Sequence, residues 1–92
     1  MSTQNVLAGA EVTDTEIFEQ VKSVISASFE IEAGRITPQT DLFSDLDLDS
    51  IDAVDLAIKL QELTGRRVKP QEFKGIRSVA DVVATVRRLL AA

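Results

Sequence analysis

The stretch SIDAVDLAIKLQELT, residues 50–64, spaces its apolar side chains as a helix does, not as an alternating strand. On a wheel of about 100° per residue it divides into three zones. Ala53, Leu56, Ala57, Leu60 and Leu63 share one arc, a core stripe. Asp52, Asp55, Lys59 and Glu62 form a polar stripe, and Ile51, Val54 and Ile58 make a second apolar arc beyond it. Asp49 is placed to cap the helix at Ser50, and Gly65 follows its last residue, Thr64. A chain of 92 residues has few elements able to cover both apolar arcs. Either the helix is central and buried most of the way round, or the second arc is a partner surface rimmed by charge. Spacing alone leaves both open.

Upstream, Thr13-Asp14-Thr15-Glu16 is a capping-box pattern. Ile17, Val21, Val24, Ile25 and Phe29 continue from it at helical spacing, which predicts a first helix over 14–30. Gly34 and Pro38 mark a long connection in which Ile36, Leu42, Phe43 and Leu46 recur, so an ordered loop packed on the helices is expected. Downstream, Pro70-Gln71-Glu72-Phe73 reads as a short turn of helix. Ser78 with Asp81 resembles another capping box, and Val79, Val82, Val83, Val86 and Leu90 form the stripe of a last helix. The expected fold class is all-α: a small four-helix bundle with three main helices, a short third helix and a long loop between the first and second.

Composition narrows the chemistry. The chain has no cysteine, histidine, tyrosine or tryptophan. It therefore offers no disulfide, thiolate metal site or cysteine nucleophile, and lacks the commonest general base. No enzyme activity is expected of it; any reactive group is supplied from elsewhere. No apolar run approaches the ~20 residues of a membrane span. The brief apolar patch over residues 6–10 is short and lacks a basic lead, so residues 1–12 read as a flexible tail and the expected compartment is the cytoplasm. Up to Gly65 there are 13 acidic and 3 basic residues, and from Arg66 onward 2 acidic and 7 basic, which together give the net charge of -5. The acidic part makes nucleic acid a poor partner. The basic tail, with Arg66, Arg67 and Lys69 in quick succession, needs its own explanation.

Ser50 opens the second helix behind Asp45-Leu46-Asp47-Leu48-Asp49. A serine there is most often an ordinary capping-region residue. It has no histidine to accept its proton and no G-x-S-x-G elbow, so it is a poor hydrolase nucleophile. A hydroxyl at a helix start is nonetheless well placed to carry a phosphate ester, because free N–H groups and the helix dipole favour the anion. Asp49 and Asp52 oppose that preference, which suits a phosphate attached covalently by another enzyme over one bound reversibly. The carboxylates Asp41, Asp45, Asp47, Asp49 and Asp52 lack EF-hand spacing and its central glycine, so a solvated, partner-facing surface is the better reading than a metal site.

The run from Asp45 to Asp52, with its core Asp49-Ser50-Ile51, resembles the attachment motif of the acyl carrier protein family. The match continues through Ala53-Val54-Asp55-Leu56 to Pro70 and, more loosely, covers residues 17–90. The resemblance implies that 13–92 is a carrier domain, with 4'-phosphopantetheine joined to Ser50 by a phosphopantetheinyl transferase, flanked by Asp49 and Ile51. Acyl groups would ride on the arm as thioesters and be presented to acyl-transferring or ketosynthase-type enzymes of fatty-acid or polyketide-type biosynthesis. It also implies that Asp52, Val54, Asp55, Ile58 and Glu62 form the partner surface, and a monomer is expected. Asp47 stands where many carriers have glycine, Ile51 replaces the more usual leucine, and Lys59 and Gln61 make the second helix less acidic than in typical fatty-acid carriers. The basic residues after Gly65 also depart from the housekeeping pattern, unless they are ordinary surface charge after a helix C-terminus, where cations are favoured anyway. These departures point to a specialised carrier of an aryl-polyene or other polyketide-type system. The rival readings are a peptidyl or aryl carrier using the same serine, and an unmodified helical adaptor.

Overall fold

The computed structural model describes residues 13–91; the tail expected over 1–12 lies outside the described residues. The chain forms α1 (Asp14–Phe29), α2 (Ser50–Thr64), the short α3 (Pro70–Phe73) and α4 (Val79–Ala91). A single 3-10 turn, Ala33–Arg35, interrupts the long first loop.

Each long helix begins on a reciprocal cap. Thr13 Oγ1 accepts the Glu16 N–H at 3.1 Å while Glu16 Oε1 accepts the Thr13 N–H at 2.9 Å. At α4, Ser78 Oγ accepts the Asp81 N–H at 3.2 Å, and Asp81 Oδ2 accepts the N–H groups of Ser78 and Arg77, each at 3.0 Å. These backbone donors hold the Asp81 carboxyl below the usual aspartate range. α1 stops one residue short of the expected 30, because Glu30 turns left-handed at φ 55° and sends its N–H to the Ser26 carbonyl. Gly65 ends α2 in the same way at φ 71°.

The core is one cluster drawn from all three long helices and the loop. Ile17, Val21 and Ile25 come from α1, Leu56, Leu60 and Leu63 from α2, and Val79, Val82, Val86 and Leu89 from α4. The last differs from expectation: Leu89, not Leu90, is buried, and Val83 is only partly covered. From Val79, positions three, seven and ten along return to one face, and Leu90 falls on its flank. Val24, Phe29 and Ala57 likewise pack at the edges of their stripes.

The long loop is a structural element in its own right. Ile36, Leu42 and Leu46 are buried as anchors, Phe43 packs beside them, and Leu48 joins the core without having been singled out. The loop is tied to the start of α4 by Leu42 N–H to Arg77 O at 2.7 Å, Val79 N–H to Thr40 O at 2.9 Å and Ala80 N–H to Pro38 O at 2.9 Å. Part of the acidic run serves this turn. Asp41 Oδ1 accepts the N–H groups of Phe43 and Ser44, Asp45 Oδ2 accepts the Asp41 N–H, and Arg77 lies 3.5 Å from Asp41. Those contacts keep the Asp41 carboxyl below its ordinary range, with the Ser44 N–H foremost. Asp41 and Asp45 thus hold the loop's shape and are not simply a solvated docking surface.

Asp47 occupies the left-handed region at φ 59°, which explains why glycine suits the position. Asp47→Gly is expected to leave stability level or raise it by up to about 1 kcal/mol, relief of strain being partly offset by a freer unfolded chain. Asp47→Val should lose about 1–2 kcal/mol, since a β-branched side chain tolerates that region worst. Urea unfolding measures both; a valine variant as stable as the glycine one would refute the strain.

Candidate functional site

Ser50 is the first residue of α2, and Asp49 is its N-cap. Asp49 Oδ1 accepts the Asp52 N–H at 2.9 Å, and Asp52 Oδ2 returns the bond to the Asp49 N–H at 3.1 Å. The consequence for Ser50 is visible against the other helix starts. In α1 and α4 the hydroxyl nearest the N-terminus is itself the cap and is tied to the backbone. In α2 the aspartate takes that duty, so the Ser50 hydroxyl one residue later is exposed and has no hydrogen-bond partner among the described residues. The N–H groups of Ser50 and Ile51 also find no acceptor among those residues, leaving two donors at the positive end of the helix dipole. Asp49 and Asp52 are therefore less a repulsive pair than a closed cap, each with an oxygen committed to backbone. The fit to a covalently attached phosphate group is good: a bare hydroxyl, free N–H groups and open space.

Ile51 is 77% exposed, Val54 61% and Ile58 46%, and these are the large exposed hydrophobic residues of the described chain. The second arc is surface. Asp55 is half-buried and Glu62 exposed along the same helix, Glu62 and Lys59 bordering a shallow groove toward α1. Asp52 is half-buried in its cap, which makes it a structural residue as well as a candidate contact.

On the other flank of the arc, α2 and α3 enclose an apolar groove of about 280 Å³. Ala53, Val54, Ala57, Ile58 and Phe73 form its apolar wall, with Gln61, Val68 and Lys69 beyond. The role of Gln61 was not anticipated. Its Oε1 accepts the Val68 N–H at 2.9 Å and pins the loop after α2 onto the helix. The available signal was its wheel position beside Val54 and Ala57, with Val68 as the one apolar residue among basic neighbours. Among the described residues no group of three or more acidic, histidine or cysteine side chains is placed to hold a metal ion. None of the described helices is long and apolar enough to cross a membrane.

A small helical bundle that leaves one serine hydroxyl bare at the start of its second helix, beside an exposed apolar arc, has the build of a prosthetic-group carrier. Comparison with known proteins agrees. Residues 19–86 match the model of the phosphopantetheine attachment site family. The chain is 59% identical over 81 residues to acyl carrier protein 2 of Ralstonia nicotianae, an alignment spanning 88% of this chain and all of that relative. It is 33% identical to the meromycolate extension acyl carrier protein of Mycobacterium bovis, over 85% of this chain and 68% of the relative. The solved structure of an acyl carrier protein from Enterococcus faecalis superimposes with a TM-score of 0.68 at 27% identity, covering 85% of this chain and 99% of that one. The chain belongs to the acyl carrier protein family. Its prosthetic group is accordingly a covalently attached 4'-phosphopantetheine, and its role is to carry acyl groups in fatty-acid or polyketide-type synthesis.

Proposed function

We propose that Ser50 is the residue bearing the arm, and that the chain is a non-catalytic carrier presenting acyl intermediates to separate enzymes. One observation carries the reading: the Asp49–Asp52 cap leaves the Ser50 hydroxyl exposed and, among the described residues, unbonded at the first position of α2. The arm supplies the thiol, absent from the chain itself, on which acyl groups are held as thioesters. Everything else falls to the protein. Ser50 provides the oxygen for the phosphodiester, the free N–H groups of Ser50 and Ile51 face its charge, and the cap holds the helix start in place. The exposed Ile51, Val54 and Ile58, flanked by Asp55 and Glu62, supply the contact for a phosphopantetheinyl transferase and for acyl-transferring or ketosynthase-type enzymes. The apolar groove between α2 and α3 offers a place for part of the cargo. The charge pattern after Gly65 favours a specialised polyketide-type system over the housekeeping one, and the cytoplasm is the proposed compartment.

Incubation of the purified chain with a transferase and coenzyme A tests this: the intact mass should rise by one phosphopantetheine. A folded protein that gains no mass would overturn the reading. The docking face has its own test. Asp55→Lys should slow arm transfer by about three- to tenfold at low salt, with the difference shrinking as salt is added and little change in unfolding midpoint. Asp52 is the wrong residue for this test, because its side chain also accepts the Asp49 N–H and closes half of the α2 cap. Equal rates for Asp55→Lys and the parent at low salt would remove α2 from the docking surface.

A further inference from the structure

Arg66, Arg67 and Lys69 take no part in the arm site or the exposed arc. All three are exposed and, like Arg35, Lys59, Lys74 and Arg88, none is in an ion pair among the described residues; what sets them apart is that three cations fall within four positions. The backbone beneath them is fixed. Gly65 N–H bonds to Gln61 O at 2.8 Å, Arg66 N–H to Thr64 Oγ1 at 3.1 Å, Val68 N–H to Gln61 Oε1 at 2.9 Å and Lys69 N–H to Glu72 Oε1 at 3.0 Å. Val68 is buried, so the loop is anchored from below and holds its cations outward.

These cations, with Gln61, line an open basin at the end of α2. Gln61, Val68 and Lys69 also line the α2–α3 groove, so groove and basin form one continuous surface. Its two ends differ in chemistry. The stretch nearer Ser50 is walled by Ala53, Val54, Ala57 and Ile58 and offers a chain only apolar contact. The far end is dominated by cationic side chains. Arginine and lysine side chains cannot accept, and Gln61, with its carbonyl oxygen engaged by Val68, has its amide N–H groups left. Glu72, the carboxylate bonded to Lys69 N–H, lines neither hollow.

We propose that this surface takes an acyl chain whose far end carries a carboxylate: the chain lies along the apolar wall and the carboxylate reaches the Arg66–Arg67–Lys69 basin. The inference rests on Ser50 bearing the arm and adds the class of cargo. A purely aliphatic chain would use the wall but leave the cations at its end unmatched. A carboxylate gains charge-assisted hydrogen bonds there.

The test loads the chain, through a transferase, with octanoyl and with its ω-carboxylated counterpart, and repeats the pair with hexanoyl and decanoyl chains to find the matching length. Two readouts are taken on protein of confirmed mass: hydroxylamine cleavage of the thioester, and backbone amide shifts. At the matching length the carboxylated cargo should be cleaved about two- to fivefold more slowly at low salt, the range that exposed charge pairs give. Its extra shifts should gather on Gln61, Val68 and Lys69. Arg66→Gln/Arg67→Gln should shrink that advantage, and so should salt. Equal cleavage and equal shifts for both cargoes at every length would overturn the proposal, as would an advantage undiminished in the double variant; either would turn the basin into a docking surface for acidic protein. Failure to gain any arm mass is a separate outcome that sinks the Ser50 reading and this inference with it.

Discussion

Ser50→Ala is expected to abolish arm attachment entirely while leaving the bundle folded. The two halves of that expectation have separate physical grounds. Transfer from coenzyme A requires an oxygen nucleophile to form the new phosphodiester bond, and alanine has none. Other hydroxyls are placed differently: Thr13 and Ser78 are bound as helix caps, Thr64 is buried with its hydroxyl donated to Leu60 O at 2.8 Å, and the exposed Ser23 and Ser44 do not open a helix. Stability should change by no more than about 0.5 kcal/mol, because Ser50 is exposed, makes no side-chain hydrogen bond among the described residues and is replaced by a better helix former. Intact mass after incubation with transferase and coenzyme A reads the first half, and a urea melt reads the second. Equal gain of the arm by Ser50→Ala and by the parent chain would place the attachment elsewhere.

Much of this was legible in the sequence, because local chemistry and helical spacing agree here. The three caps, the glycine that ends α2 and the order of the elements all follow from residue types at fixed offsets. What spacing could not decide was the fate of Ile51, Val54 and Ile58. A wheel separates faces but does not say which face meets a neighbour; that depends on how few elements a short chain has to pack with. Two further features went unread: the first ties residues distant in sequence, and the second is a local box, Asp49-x-x-Asp52, in which an aspartate takes the place of the usual Glu or Gln. Asp41 and Asp45 read as surface acids, yet they close a turn that is tied to Arg77 and the start of α4. Asp52 read as a free docking charge, and its return bond to Asp49 makes it half of the cap that releases Ser50. The departure of Asp47 from glycine was visible, but its reason was not. It needed the dihedral angle.

The largest stability effect is expected from Leu60→Ala, set against Ile58→Ala two positions earlier. Leu60 is fully buried on α2, in the cluster shared with α1 and α4. Truncating such a side chain removes its transfer free energy and leaves a cavity that the surrounding helices only partly fill, a loss of about 2–5 kcal/mol. A domain of this size holds only on the order of 5 kcal/mol of net stability, so most of the margin goes. With each kcal/mol worth about 4–8 °C in a small domain, the melting temperature should drop by more than about 10 °C. Ile58 has the same carbon count but is nearly half exposed. Its truncation forfeits part of the transfer term and opens no closed cavity, so the loss should stay below about 1 kcal/mol. The pair therefore measures the division of α2 into a core face and an outer face, independently of any partner or prosthetic group. Losses of equal size would mean that the Ile51–Val54–Ile58 arc is core after all, and the docking role would have to move off it. A wide gap in stability, paired with slower arm transfer for Ile58→Ala, would instead tie those exposed side chains to recognition, since stability gives them no other reason to be apolar.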